Sequence, residues 1–330
     1  MHMVTSPTIA ILLAVLTMLG WGSWANTQKL ANRSNWPFGF FYWDYAIGIF
    51  LFAALLALLP NGNAPTGVLA GMQNAGNSAI ERALFAGVLF NISNLLLVIA
   101  IDLAGMALAF PVGVGLALII GTVASYVQEP HGSLPLLGFG VALVLLAMIF
   151  SAIANFRMHA GAGQNTLRGL SCAVVAGSLM GFFYPQLIKS MSPHSTASGG
   201  PVGGLTPVSA LLLFAAGLLL SNIVLNTILM RVKGLAYTGY FLTGKGLHLW
   251  GILGGAIWMF ALTCNLFASG AAGPAISYAL GQGATLIAAL WGAVVWHEFR
   301  NAPAGTWRYV IMMFVAYTVG LTLIGTATFF

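Results

Sequence analysis

The chain has 330 residues, of which 5% are charged and 59% hydrophobic. A soluble domain carries roughly 25% charged residues, so a water-soluble fold of this size could not cover its surface. Intrinsic disorder needs low hydrophobicity and is excluded by the same numbers. What remains is an all-α membrane protein. At about 20 apolar residues per span, ten spans take up most of the chain and leave only short loops.

The formal net charge of +6 comes from 11 Lys and Arg scattered along the sequence. A nucleic-acid footprint needs them clustered on one face, so no nucleic-acid partner is expected. Cys172 and Cys264 lie in apolar stretches with no second Cys or His at ligand spacing. They read as packing residues, and neither a metal nor a cofactor is expected. Residues 1–7 contain no Lys or Arg and no A-x-A site follows. The first apolar stretch is therefore expected to be a retained helix rather than a cleaved signal.

The spans follow in order. Span 1 (8–30) ends GWGSWANTQK and carries Trp21, Ser23, Trp24 and Asn26. Span 2 (40–60) opens FYWDYAIG, setting Asp44 between Trp43 and Tyr45, and ends at the turn chemistry of Asn61–Pro65. Span 3 (82–101) carries Asn91, Ser93 and Asn94, and joins span 4 (104–127) almost directly. Span 5 (133–155) is purely apolar at its centre. Span 6 (168–190) carries Tyr184, Pro185 and Gln186, before a Gly-rich loop at 198–201. Span 7 (206–231) places Asn222 and Asn226 four apart, on one face. Span 8 (247–267) joins span 9 (271–296) as tightly as span 3 joins span 4. Span 9 carries Ser277, Tyr278 and Gln282, and span 10 (306–328) closes the chain.

The sequence reads as a duplication. A shift of 168 lays Gly105 on Gly273, Ala107 on Ala275, Gly113 on Gly281 and Gly115 on Gly283. Both stretches run on to an acid, Glu129 and Glu298, one position out of step. The halves are then 1–160 and 161–330, with five spans each. An odd number makes the second half enter the membrane from the other side, so the expected architecture is two inverted five-helix repeats. Secondary transporters are built this way, with substrate held near the midplane.

Loop charges set the orientation. Lys29, Arg33, Arg157, Arg168, Arg231, Lys233, Lys245, Arg300 and Arg308 fall on one side, and Arg82 and Lys189 on the other. The first side is expected to be cytoplasmic, with both termini outside.

Polar side chains within spans tend to face the bundle interior. The candidate substrate-binding residues are thus Trp21, Ser23, Trp24, Asn26, Asn91, Asn94, Tyr184, Gln186, Asn222, Asn226, Ser277, Tyr278 and Gln282. Each has a plainer alternative: Asn222 and Asn226 can bond neighbouring helices, and Trp or Tyr near span ends can belong to the interfacial belt, as for Trp43, Trp250 and Trp307. The paired glycines read first as close-packing positions, and Pro111 and Pro185 as kinks. No Lys or Arg stands at mid-span, whereas anion sites need fixed positive charge. Amides, hydroxyls and indoles suit a neutral, hydrogen-bonding solute such as a sugar, a ureide or a nucleobase.

Asp44 is the proton-coupling candidate: an acid set among aromatics one turn into its span. The plainer reading is an interfacial Asp satisfied by Lys29 or a helix N-terminus. The six histidines, at 2, 131, 159, 194, 248 and 297, read as end or loop residues. With no catalytic cluster of His, Asp, Glu or Cys, an intramembrane enzyme is not expected. A channel would need rings of charge or a filter repeat, and none is seen.

Ten spans in two five-span halves resemble the drug/metabolite transporter superfamily. Within it, GWGSW (20–24) looks like the glucose/ribose porter group, and FYWDYAIG (41–48) is similar to the aromatic-x-Asp-Tyr stretch of ureide permeases. The loop from Asn155 to Arg168 lacks the phosphate-loop-like segment of the ureide group. The resemblance implies proton-linked uptake of a small neutral solute by alternating access, with Trp21, Ser23 and Asp44 as preferred site residues. It points to a multi-pass protein of the cell membrane, with the bacterial inner membrane expected, acting as a monomer or homodimer. The alternatives are a ureide or nucleobase permease, or a metabolite or drug exporter of the same fold.

Overall fold

A computed structural model describes residues 3–59, 68–158, 165–192, 194–195, 201–242 and 245–330. The turn at 61–65, most of the loop at 198–201, and residues 159–164 of the 155–168 loop lie outside the described residues.

Among the described residues, ten helices are long and apolar enough to cross a membrane. They are α1 (Pro7–Asn32), α2 (Phe38–Leu58), α3 (Asn77–Ala104), α4 (Leu108–Gln128), α5 (Leu134–Met158), α6 (Thr166–Met191), α7 (Pro207–Val232), α8 (Gly246–Ala272), α9 (Pro274–Val295) and α10 (Thr306–Phe329). Each matches one span read from the sequence. A short helix, Tyr237–Leu242, lies between α7 and α8. Between α6 and α7, His194–Ser195 pairs antiparallel with Pro201–Val202. Large apolar side chains such as Leu12, Leu55, Phe139 and Ile311 are more than half exposed. Such side chains are at home against acyl chains, where the spans satisfy their own backbone bonds.

Two compact units form. Unit 1 comprises Met1–Met3, Ser23–Asn91 and Gln186–Thr263; unit 2 comprises Val4–Gly22, Ile92–Pro185 and Cys264–Phe330. Each draws on both halves of the chain.

In unit 1, α2 packs along α7, and four glycines govern the crossings. A Cβ on Gly48 would lie 2.2 Å from the carbonyl oxygen of Ile252, and one on Gly255 2.0 Å from that of Tyr45. This is how closely α2 meets α8. A Cβ on Gly217 would lie 2.1 Å from the oxygen of Leu84, and one on Gly87 2.0 Å from that of Phe214. This is how α7 meets α3. The two crossings share one pattern: Gly48 and Tyr45 map onto Gly217 and Phe214 at a shift of 169, and Leu84 and Gly87 onto Ile252 and Gly255 at 168. Small residues at such points let helix backbones approach, which drives packing in lipid.

In unit 2, α4 packs along α9, and α5 along α10. The α5–α10 pair is antiparallel: Ser133 N–H donates to the Ala327 carbonyl, Gly140 faces Gly320 and Ile324, and Arg157 reaches the Ala304 carbonyl. The tight turns before α4 and α9 are alike. Gly105 has φ 81° and ψ 153°, and Gly273 φ 78° and ψ 153°. This is a region that side chains other than glycine avoid, so both turns need Gly at the position the duplication aligned.

Candidate functional site

Polar residues gather in each unit, and each group is built locally. In unit 1, α1 is distorted at Trp24. Thr27 Oγ1 donates to the Trp24 carbonyl at 2.7 Å, Asn26 Nδ2 donates to the Ser23 carbonyl at 2.9 Å, and Thr27 N–H also turns back to Trp24. Side chains that take backbone carbonyls in this way loosen a helix. The Trp24 ring packs tilted against Tyr45, with centroids 4.9 Å apart.

Asp44 is 1% exposed on α2. Tyr240, on the short helix Tyr237–Leu242, donates to Asp44 Oδ1 at 2.6 Å. His248, in the first turn of α8, sets Nδ1 2.9 Å from Oδ1 and 3.0 Å from Oδ2. Trp36 and Tyr240 both stand edge-on to the His248 ring, at 5.0 and 4.8 Å between centroids. Burial, and then the hydrogen bond to Asp44, push the Tyr240 phenol above its ordinary range, so it remains a donor. The partners of Asp44 are therefore a phenol and an imidazole rather than the lysine or helix end of the plainer reading.

Deeper in unit 1, Tyr42 donates to Asn91 Oδ1 at 2.9 Å, and Asn91 Nδ2 donates to Ser221 Oγ at 2.8 Å. Asn226 Nδ2 donates to the Gly39 carbonyl at 2.8 Å, fixing α7 to the start of α2. Asn222 lies one turn away on the same face of α7 and is completely buried, yet neither atom of its amide has a partner. Asn226 Oδ1 and the Tyr45 hydroxyl are buried and unpartnered as well. Phe90, Phe214 and Trp258 form an aromatic group, with Phe90 4.3 Å from Trp258.

In unit 2, α9 is broken. Its first helical segment ends at Gly281 and the next begins at Ala284. The turn between them tightens, with Gly283 N–H reaching back to Leu280 and Thr285 N–H to Gln282. A further π-helical turn occupies Trp291–Val295. A Cβ on Gly281 would lie 2.7 Å from the Trp21 ring and 2.9 Å from the Asn265 amide nitrogen. Asn265 and Ser277 bond reciprocally: Asn265 Nδ2 donates to the Ser277 carbonyl at 2.8 Å, and Ser277 Oγ to the Asn265 carbonyl at 2.7 Å. Tyr278 donates to the Ala117 carbonyl at 3.3 Å, and its ring lies 5.0 Å from that of Tyr184. Asn265 Oδ1 is buried without a partner.

The sequence candidates thus separate. Ser23, Trp24, Asn26, Asp44, Asn91, Gln186, Asn222 and Asn226 belong to unit 1; Trp21, Asn94, Tyr184, Ser277, Tyr278 and Gln282 belong to unit 2. Asn26 bonds its own helix, and Gln186 accepts from Arg82 at 3.3 Å. Sequence reasoning missed three residues, His248, Tyr240 and Asn265. His248 was grouped with end and loop histidines, although an imidazole at the mouth of an apolar span was itself a signal. Tyr240 sits in the short helix Tyr237–Leu242, between spans, and carries none.

Among the described residues no group of three His, Cys, Asp or Glu is placed to hold a metal ion. A cavity of about 520 Å³ in unit 2 is lined by Ile11, Leu12, Val15, Leu280 and Leu321, together with Thr318, Thr322 and Thr326, whose hydroxyls bond their own helix. It is almost wholly apolar and lacks the convergent polar groups of a solute site.

These features define a multi-pass membrane protein of ten spanning helices. No family model and no curated protein matches the chain. A solved crystal structure of a protein superposes on it with a TM-score of 0.58, over 96% of this chain and 99% of its own, at 16% identity. That likeness is one of fold.

Proposed function

We propose that the protein is a secondary active transporter that takes up a small neutral polar solute, a sugar first among the candidates, coupled to protons. One observation carries the reading: the completely buried Asn222 amide with neither atom bonded, in the middle of a spanning helix. A buried amide without partners costs about 1–3 kcal/mol, a cost that a hydrogen-bonding ligand removes. Asn226, Tyr45 and Asn265 each offer one more unpartnered group of the same neutral kind.

Alternating access is supported by the pairing of α2 with α7, α4 with α9 and α5 with α10. In these three pairs a helix packs on the one five places later, as two repeats related by an axis in the membrane plane would arrange them. The matched glycine crossings and the matched Gly105 and Gly273 turns point the same way. Proton coupling is supported by Asp44, a buried membrane acid held by a titratable ring. The broken α9 supplies the irregular backbone common at transporter sites.

The test is uptake into proteoliposomes of a panel of D-glucose, D-ribose, allantoin, uracil and L-alanine, with and without an inward proton gradient. Gradient-dependent accumulation of a neutral panel member is expected. Uptake of none of them refutes the reading, and solute driven against the proton flow makes the protein an exporter. Asp44→Asn is expected to abolish accumulation while leaving solute exchange.

A further inference from the structure

We propose that His248 is the proton port of Asp44: the group through which a proton on the buried carboxyl reaches water at the end of unit 1 formed by the starts of α2 and α8. The proposal rests on the proton-coupled reading above.

Asp44 is 1% exposed and has no direct way to exchange a proton with solvent. His248 touches both of its oxygens through Nδ1, yet its own side chain is 24% exposed. It is therefore placed between the acid and the surface. Tyr240 donates to Oδ1 with its phenol proton held firmly, so it orients the carboxylate and does not carry the proton away. Trp36 and Tyr240 brace the imidazole edge-on, which fixes Nδ1 toward the acid. Among the described residues, the titratable groups facing this ring are Asp44 from α2 and Tyr240 from the short helix. The segment before α2 presents Trp36.

The step balances without any further reactant. Neutral His248, protonated on Nε2, accepts the carboxyl proton of Asp44 at Nδ1, leaving a carboxylate and an imidazolium. The imidazolium then gives its Nε2 proton to water. The ring is then left protonated on Nδ1; turning about its Cβ–Cγ bond brings that N–H to water, where Nδ1 loses its proton and Nε2 gains one, and the return turn restores the Nε2–H form for the next cycle. Imidazole alone among side chains has an ordinary pKa that suits both halves of this step near neutrality, and Asp–His relays recur in membrane proton pathways. The basic residues Arg33, Arg231 and Lys233 flank these helix starts in sequence, which assigns the port to the cytoplasmic side.

The experiment uses the full chain in proteoliposomes, with the panel above as probes and trapped pyranine to follow protons. His248→Asn keeps an amide near the Nδ1 position but cannot relay a proton. Its gradient-driven uptake is expected to fall about 100-fold while solute exchange stays at the wild-type rate. In His248→Ala, free imidazole added on the side of the helix starts is expected to restore uptake. Wild-type accumulation and pH profile in His248→Asn, with Asp44→Asn inactive, overturn the port and leave the transport reading standing. Full accumulation in Asp44→Asn overturns the transport reading and the port together. Thermal melts in detergent check that each variant folds. If His248→Asn does not fold, diethylpyrocarbonate labelling of His248 in the wild type and in Asp44→Asn decides. Faster labelling once the carboxylate no longer holds Nδ1 upholds the contact that the relay needs, and an unchanged labelling rate overturns it.

Discussion

Gly251 and Asp44 meet with no room for a side chain between them. A Cβ at position 251 would lie 2.3 Å from the Cβ of Asp44. The start of α8 can approach α2 only because this residue is glycine. His248 lies three residues earlier, on the same face of the helix, and so arrives at the carboxylate. A backbone contact thereby positions a titratable pair.

Gly251→Ala should accordingly push Asp44 away from His248. We expect a loss of about 1–3 kcal/mol in stability from overpacking, together with loss of gradient-driven accumulation. Solute exchange without a gradient should persist. Thermal unfolding in detergent and paired uptake assays measure the two effects. Unchanged accumulation would show that the Asp44–His248 geometry is not needed for coupling.

The four crossing glycines make a quantitative test of the duplication. Gly48→Ala and Gly217→Ala occupy matching sites, as do Gly255→Ala and Gly87→Ala. Each is expected to destabilise by about 1–3 kcal/mol, with the two members of a pair alike. Gly138 has open space around its Cβ position. Gly138→Ala should be neutral or stabilising by up to about 1 kcal/mol, since Ala is the better helix former. Equal melting-temperature losses within each pair, and none for Gly138, are the expected pattern.

Asn222→Leu separates stability from function. Replacing a buried unpartnered amide by an apolar side chain of similar size removes a desolvation cost of about 1–3 kcal/mol. The variant should melt higher than wild type and fail to bind the panel solute that wild type transports. Scintillation proximity binding and a thermal melt on the same preparation check both. A variant that is more stable and still binds with wild-type affinity would place Asn222 outside the solute site.

Within unit 2, Gly281→Ala is expected to displace the Trp21 ring and the Asn265 amide, both of which lie within 3 Å of the added carbon. Tryptophan fluorescence should shift, and solute affinity should fall by about tenfold, the equivalent of roughly 1.4 kcal/mol. Asn265→Ala should weaken affinity in the same direction, because it also removes the clasp on Ser277.

Much of the fold was legible because lipid imposes a simple rule. A spanning segment must be apolar for its whole length and must satisfy its own backbone, so all ten spans could be read within a few residues. The glycine register was legible for a related reason: backbones that touch leave no alternative to glycine, as at Gly48 and Gly217, and neither do turns that need positive φ, as at Gly105 and Gly273. The site was legible only in part. Asn222, Asn226, Ser277 and Tyr278 stood out as polar residues in apolar runs. Asn265 lies in an equally apolar run, and its role rests on the Ser277 backbone it meets.

The sequence by itself determined that the chain lives in a membrane, how many times its helices are long enough to cross it, and that its interior is furnished with neutral polar groups. Only the tertiary structure decided which of those groups meet. Asp44 and His248 are 204 residues apart, and Tyr240 comes from a short helix with no signal of its own. Local composition sets the transfer of each helix into lipid, one segment at a time. A hydrogen bond between distant segments depends on how their backbones cross, and that was fixed by glycines whose packing partners no local pattern reveals.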